Sequence, residues 1–148
     1  MRAIVAERAG GPEVLGIAEV SDPAPGLGEL LVETAAIGVN FIEIYQRAGV
    51  YPMRYPFTPG SEAAGTVVAV GEGVLGIEPG DRVATAAGRA SYAERFVVPA
   101  DEVARVPDGI DFETAAAVPL QGCTAHYLAT SAARPRQGDT VLVHAGAG

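Results

Sequence analysis

The stretch that most constrains the fold of this chain is residues 59–70, where a Pro-Gly turn leads into small and β-branched residues. Gly60 and Gly65 carry no Cβ, so the chain at these positions can lie close to another backbone or to a ligand. The run Thr-Val-Val-Ala-Val after Gly65 is typical of a buried strand. The stretch therefore predicts a turn followed by a strand in the interior of a sheet.

Similar strand patterns recur through the first hundred residues, at a spacing of about ten residues and with Gly and Pro between them. This regular spacing predicts a small β-barrel or sandwich. The predicted strands are residues 2–7, 14–20, 29–37, 62–70, 82–86 and 92–98.

One segment between these strands has the period of a helix. Asn40 followed three residues later by Glu43 is a capping-box pattern, and Gly49 predicts the end of the helix. The apolar residues of the helix recur at i, i+3, i+4 and i+7: Phe41, Ile44, Tyr45 and Ala48.

The composition changes after residue 107. Residues 111–118 are rich in alanine and predict a helix with Asp108 or Asp111 as its N-cap, and a second helix follows Pro119. Residues 140–143 then predict a short apolar strand of the kind buried in a parallel sheet. A strand followed by Gly-x-Gly, here residues 146–148, is how a dinucleotide-binding βαβ unit begins, although a glycine pair after a strand also makes a plain turn.

Charge and composition exclude several classes of function. The chain has 18 acidic and 10 basic residues, a net charge of −8, and no basic cluster, which argues against nucleic-acid or anionic-membrane partners. The 49% of hydrophobic residues are enough for a packed core. A single cysteine excludes an internal disulfide, and no segment is apolar for long enough to span a membrane. We therefore expect a soluble cytoplasmic protein.

Five motifs in chain order carry a family resemblance. They are GGPEVL (10–15), AIGVNFI (36–42), PGSEAAG (59–65), PGDRV (79–83) and LQGCTA (120–125). With them the sequence resembles the zinc-independent medium-chain dehydrogenase/reductases, in particular the NADPH:quinone oxidoreductases related to zeta-crystallin. The resemblance extends over essentially the whole chain.

The resemblance implies a mainly β fold with some α-helix. Residues 1–118 would form a GroES-like catalytic domain, a partly open β-barrel. Residues 119–148 would be a linking helix and the first strand of a truncated Rossmann α/β domain, which binds a dinucleotide. The family's second half would then lie outside this sequence, and we expect the 148-residue chain alone to be inactive.

Two substitutions bear on zinc, which needs about three Cys, His, Asp or Glu ligands. Zinc-dependent relatives have a cysteine where this chain has Asn40, and a Gly-His-Glu motif whose histidine position here is Ser61. Cys123 and His126 stand at i, i+3 on one helix and are either half a site or a buried thiol and a helix-face histidine. We expect no metal.

The resemblance also suggests residues for chemistry and cofactor binding. Reduction needs the nicotinamide held against the acceptor and a polar group to position the acceptor's oxygen. Asn40 would reach toward the nicotinamide ribose or the substrate, and Tyr45 toward the nicotinamide phosphate edge or the substrate, so both are catalytic candidates. The alternatives are a simple N-cap for Asn40 and a half-buried aromatic for Tyr45.

The other candidates are cofactor-binding. Tyr51 lies in a proline-rich loop that could cover the cleft, while Gln121 and Thr124 match residues that contact the nicotinamide carboxamide or ribose. Gly146 and Gly148 would approach the pyrophosphate. Glu62 is expected to be structural, satisfying either backbone groups or an arginine.

The function implied by the resemblance is hydride transfer from NADPH to a quinone. The preference for NADPH over NADH comes from the resemblance alone. Two alternatives stay open: reduction of an enone or enoyl substrate, and a GroES-like binding or assembly domain without catalysis. The partners would be a quinone or enone and, in the full-length protein, a second copy of the chain in a homodimer.

Overall fold

The computed structural model describes residues 1–144. Its strands are β1 (Arg2–Ala6), β2 (Leu15–Glu19), β3 (Glu29–Ile37), β4 (Ala63–Val70), β5 (Arg82–Thr85), β6 (Arg95–Pro99) and β7 (Val103–Arg105). Its α-helices are α1 (Phe41–Arg47), α2 (Phe112–Ala117) and α3 (Pro119–Tyr127). Short turns of other helix types are Pro12–Val14, Ala100–Glu102 and Leu128–Ala132.

Five of the strands form one antiparallel sheet in the order β6-β3-β4-β5-β7, which curls into a partly open barrel. The hairpin β1–β2 forms a separate two-stranded sheet. It is joined to the rest of the molecule by bridges from Ala3 to Ala93 and from Ala6 to Phe57. The predicted mainly β fold with a partly open barrel is confirmed.

The two glycines of the 59–70 stretch are confirmed as sites of close approach. A Cβ at Gly65 would overlap the carbonyl oxygen of Glu33 on the neighbouring strand β3. A Cβ at Gly60 would lie 2.5 Å from Cδ1 of Tyr92, and the φ angle of Gly60 is +106°, a backbone conformation that favours glycine.

Apolar side chains fill both faces of the sheet. The barrel interior holds Leu30, Val32, Ala63, Val67, Val83, Phe96 and Val98. On the opposite face α2 packs its two small residues Ala115 and Ala116 against Ala64, Ala84 and Val106. Small residues on both partners allow the helix to lie close to the sheet.

The start of α2 resolves one alternative left by the sequence. Asp111 is the N-cap, and its Oδ1 accepts a hydrogen bond from the backbone N of Thr114 at 2.6 Å. This hydrogen bond holds the pKa of the Asp111 carboxyl below its usual value. Val118 then ends α2 and Pro119 is the first residue of α3, as predicted.

Two strand predictions need correction, and one strand was not predicted. The strand predicted over 92–98 begins only at Arg95, because the backbone around Tyr92 bonds instead to β1, with Ile4 N donating to Tyr92 O at 2.8 Å. Residues 140–143 form no strand, since no described segment pairs with them. The three-residue strand β7 was not predicted, because its side chains do not alternate between buried and exposed positions.

Within residues 1–144, none of the helices combines the length and apolar character needed to cross a bilayer.

Candidate functional site

The apolar stripe of α1 faces outward. Phe41 is 73% exposed and Tyr45 is 42% exposed, whereas the charged residue Glu43 is buried. The loop after α1 folds back on it, so that Tyr51 N donates to Tyr45 O at 3.2 Å. The ring of Tyr45 lies 6.4 Å from that of Phe41 and 5.6 Å from that of Tyr51, centroid to centroid. We call Phe41, Tyr45 and Tyr51 the aromatic face, a surface suited to a planar ring.

Asn40 both begins α1 and connects distant elements. Its backbone N donates to Glu43 Oε2 at 2.8 Å, which confirms the capping box. Its side-chain Nδ2 donates to Glu62 Oε2 at 2.9 Å, and its Oδ1 accepts from Gln121 Nε2 at 2.9 Å. Asn40 is only 8% exposed. Asn40 is therefore the N-cap of α1, and its side chain joins this helix to Glu62 and to Gln121 of α3.

Glu62 lies at the centre of this network and is fully buried. Its Oε1 accepts from Leu120 N at 2.7 Å, at the N-terminus of α3, and its main-chain O accepts from Gly38 N at 2.9 Å. The prediction that it satisfies backbone groups is confirmed. Among residues 1–144 it forms no ion pair, so the alternative of an arginine partner is not observed.

Gln121 is the exposed member of the network. In the opposite orientation of its amide, its nitrogen would lie 3.1 Å from Glu62 Oε1 and 3.2 Å from Ala117 O. Both orientations keep Gln121 in contact with the Asn40–Glu62 pair. Thr124 follows one turn later on α3 and is also exposed. The amide and hydroxyl groups of this helix face are thus accessible to a ligand.

A second buried carboxylate stands behind α1. Glu43 Oε1 accepts from the Ser61 hydroxyl at 3.3 Å. The nearby Tyr92 hydroxyl is buried without a hydrogen-bond partner among the described residues. Burial, and secondarily the charge of Glu43, raises the pKa of Tyr92 to about 12.

The described residues contain no group of three His, Cys, Asp or Glu side chains placed to hold a metal ion. Ser61, at the position of a metal-ligand histidine, contacts Glu43 instead. The thiol of Cys123 is exposed, so its interpretation as a buried thiol is wrong. Because α3 from Gln121 onward is exposed, a thiol on that part of the helix has no core to enter.

The structure brings the sequence-predicted residues together as two groups. Asn40 contacts Gln121 directly, and Tyr45 packs against Tyr51. Gly146 and Gly148 lie outside the described residues. Two features were missed: the Leu120 backbone N–H, which no sequence pattern marks, and the exposure of Phe41. An apolar helical stripe normally indicates a buried face, so only the burial of Glu43 on the other side reveals that α1 is turned outward.

Residues 26–108, more than half of the chain, match the family described as the alcohol dehydrogenase GroES-like domain. The chain belongs to this family. The GroES-like match covers all five strands of the larger sheet and includes Asn40 and Glu62, whereas the separate hairpin β1–β2 and α3 lie outside it.

Several relatives are quinone oxidoreductases. The chain is 47% identical to the quinone oxidoreductase of Pseudomonas aeruginosa over 141 residues, which are 94% of this chain and 43% of that protein. A mycobacterial protein complexed with NADPH is 51% identical, with a TM-score of 0.97, covering 100% of this chain and 46% of that one. The Escherichia coli quinone oxidoreductase complexed with NADPH is 42% identical, with a TM-score of 0.85, covering 88% and 41%. The chain thus spans less than half the length of these relatives.

The exposed residues of this site fit the nicotinamide half of such a cofactor. A carboxamide and a ribose need neutral donors and acceptors, which the exposed Gln121 and Thr124 offer. A nicotinamide ring needs an apolar contact, which the exposed rings of the aromatic face offer. The donor set is therefore chemically suited to NADPH, which supplies a hydride when bound.

Proposed function

We propose that this chain is the GroES-like catalytic part of an NADPH-dependent quinone oxidoreductase. The observation that carries the proposal is the contact between the side-chain amides of Asn40 and Gln121, whose nearest atoms are 2.9 Å apart and which joins the starts of α1 and α3 across 81 residues of sequence. It assembles polar groups near the exposed aromatic residues of α1. The names of the relatives and the NADPH in two similar structures support the same assignment.

In this proposal each residue has a stated task. Gln121 and Thr124 bind the nicotinamide carboxamide or ribose, and Tyr51 covers the ring. Asn40 and Tyr45 orient the acceptor, and Gly146 and Gly148 approach the pyrophosphate. A quinone accepts the hydride and takes up a proton from solvent, giving the hydroquinone and NADP⁺.

We further propose that the reaction is independent of zinc. The side chains of Asn40 and Ser61 are committed to hydrogen bonds with Glu62, Gln121 and Glu43, and neither is a zinc ligand of the usual type. A quinone needs no Lewis acid when an amide or phenol can hydrogen-bond its carbonyl oxygen. Addition of a chelator should therefore leave quinone reduction unchanged.

The proposed context is that of a cytoplasmic homodimer. Residues 1–118 form the catalytic domain, and residues 119–148 begin a dinucleotide-binding domain. The exposure of α3 from Gln121 onward supports a further partner surface there, and the single cysteine suits a reducing compartment.

The binding test is NMR titration of the 148-residue chain with NADPH, because chemical shifts detect even millimolar binding. We expect the NMR signals of the Gln121 side-chain amide and of the Tyr45 ring to shift. The signal of Glu94, an exposed residue that is hydrogen-bonded to Arg2 of β1, should stay unchanged. Signals that shift only elsewhere in the protein, or no shifts at all at millimolar NADPH, would contradict the proposed site. Gln121→Ala should weaken the response, while Glu94→Gln serves as the control.

Turnover is tested in a chimera in which this chain replaces the matching 141 residues of the Pseudomonas aeruginosa quinone oxidoreductase. We expect NADPH-dependent quinone reduction, lowered about 10- to 100-fold by Tyr45→Phe if its hydroxyl positions the acceptor. A folded chimera that binds NADPH but reduces no quinone would refute the assigned acceptor.

A further inference from the structure

The Glu62 carboxylate is unusual because it is fully buried and bonds only to neutral donors. Its two oxygens are committed to two different elements: Oε2 to Asn40 Nδ2 at 2.9 Å and Oε1 to Leu120 N at 2.7 Å. Burying a charge is costly unless hydrogen bonds satisfy it. A carboxylate buried at that cost, at the junction of α1 and α3, calls for an explanation beyond packing.

A carboxylate sets the direction of every hydrogen bond around it, because it accepts and cannot donate. The amide of Asn40 must therefore turn its Nδ2 toward Glu62, which leaves its Oδ1 facing Gln121. Burial decreases outward along this chain of contacts, from Glu62 at 0% exposed to Asn40 at 8% and then to the exposed Gln121. Glu62 is thus too buried to contact a ligand itself, but it orients the amide of Asn40, which in turn contacts the exposed Gln121.

The same carboxylate holds the only described stretch of α3 that is not exposed. Pro119 and Leu120 are partly buried, and every described residue from Gln121 onward is exposed. The bond from Leu120 N to Glu62 Oε1 ties this first turn to the start of β4. The position of the first turn of α3 is therefore coupled to that of Glu62.

We propose that Glu62 is the positioning residue of the site, which fixes the orientation of Asn40 and the first turn of α3 and thereby places Gln121 for its ligand. The proposal rests on the proposed function for the identity of that ligand. The positioning of Asn40 and α3 is a property of this chain alone.

Glu62→Gln is the sharpest variant because it keeps the volume and removes one acceptor. Glutamine offers one oxygen to the two donors Asn40 Nδ2 and Leu120 N, so one of them loses its partner. We expect hydrogen exchange at the Leu120 amide to become about tenfold faster or more, beyond any change in the globally exchanging amides.

Glu43→Gln is the matched control, a neighbouring buried carboxylate that contacts Asn40 N and Ser61 but not α3. It should leave the exchange of Leu120 unchanged relative to global unfolding. Equal acceleration in both variants would show a general loosening and overturn the proposal.

If Glu62→Gln does not fold, Gly38→Ala displaces the same carboxylate without removing it. A Cβ at Gly38 would overlap Oε2 of Glu62. The same local acceleration at Leu120 is expected. An unchanged Leu120 amide in a folded variant would refute the positioning role.

The affinity for NADPH supplies the second measurement. Glu62→Gln should raise the Kd by about tenfold in the otherwise native chain and by less than about twofold in the Gln121→Ala background, since its effect passes through Gln121. Equal effects in both backgrounds would overturn the proposal. Failure of the wild-type chain to bind NADPH would contradict the proposed NADPH site, and the exchange at Leu120 would still decide the role of Glu62.

Discussion

Two glycines on the strands of this molecule differ in the space available for a side chain. Gly65 on β4 faces the backbone of β3, so an added Cβ would overlap the carbonyl oxygen of Glu33. Gly16 on β2 has no heavy atom within 4 Å of the place where its Cβ would lie. Glycine is therefore required at position 65 but not at position 16, because only at position 65 would a Cβ overlap the backbone of a neighbouring strand.

Gly65→Ala should therefore lower the free energy of unfolding by about 2 kcal/mol or more, because two backbones would have to separate. Gly16→Ala should raise it by up to about 1 kcal/mol through the reduced entropy of the unfolded chain. Urea denaturation of both variants measures the difference. Equal effects would show that β3 and β4 do not pack as closely as described.

Tyr92 makes stability depend on pH in the alkaline range. All ten basic residues are arginines, so lysines contribute nothing there. Burial raises the pKa of Tyr92 to about 12 from 10.0, so the folded protein holds its proton where the unfolded chain releases it. Its contribution is fully present below about pH 10 and is lost as the pH rises to about 12.

We expect the free energy of unfolding of the native chain to fall between about pH 10 and about pH 12, and Tyr92→Phe to remove part of that fall. Tyr127→Phe is the control, since that side chain is 60% exposed. Urea denaturation at several pH values, with ultraviolet absorbance of tyrosinate, measures the effect. A fall of the same size in Tyr92→Phe would contradict the assignment.

At the scale of elements, α2 depends on small residues for its contact with the sheet. Ala116 is 2% exposed and packs in the cluster with Ala64 and Ala84, whereas the next residue, Ala117, is exposed. The helix is six residues long, so its packing rather than its own propensity must hold it in place.

Ala116→Leu should lower the free energy of unfolding by about 1–3 kcal/mol, because the larger side chain has no space between helix and sheet. Ala117→Leu should change it by no more than about 0.5 kcal/mol. Thermal or urea denaturation distinguishes the two. A neutral Ala116→Leu would mean that α2 can move away from the sheet without cost.

The elements themselves followed closely from sequence where pairing is local or alternation is strong. The pattern predicts residues 29–37, which are β3, and the capping signals bound α1. The errors arose where pairing depends on distant partners: Tyr92 bonds to β1 rather than to the ladder, and β7 exists only because Val83 and Thr85 of β5 pair with it. A single segment carries no information about such partners.

At the scale of the whole molecule, a compact body is followed by an exposed segment. Every residue from 121 to 144 is exposed, whereas the core clusters end with α2. Exposed segments are the preferred sites of proteolytic cleavage. Because every basic residue is an arginine, trypsin tests this division at a small number of sites.

Limited trypsin digestion should first cleave after Arg136, since the bond after Arg134 precedes a proline and resists the enzyme. Arg54 lies in a loop held by the bond from the Tyr55 hydroxyl to Gln46 O at 2.7 Å, so it should be cut later. Mass spectrometry of the first fragment gives the order. Initial cleavage after Arg54 or Arg8 would contradict this division, and Arg136→Gln should abolish the first cut.

The site was predictable from sequence only in part. The motifs marked Asn40, Tyr45, Gln121 and Glu62 one by one, but not that the first is bonded to the last two. The outward turn of α1 could not be predicted, because it depends on Glu43 being buried beside Ser61, in another part of the chain. Contacts between remote segments are set by the folded barrel as a whole.

The bonds around Glu62 also bear on the order in which the molecule folds. They join positions 22, 58 and 81 residues apart, from Asn40 to Glu62, from Glu62 to Leu120 and from Asn40 to Gln121. Contacts of such long range form only after the intervening chain has closed, and topologies rich in them fold slowly. The nascent chain therefore lacks the site that these contacts build. A ligand that binds this site can stabilise molecules that have already folded, but it cannot guide the early steps of folding.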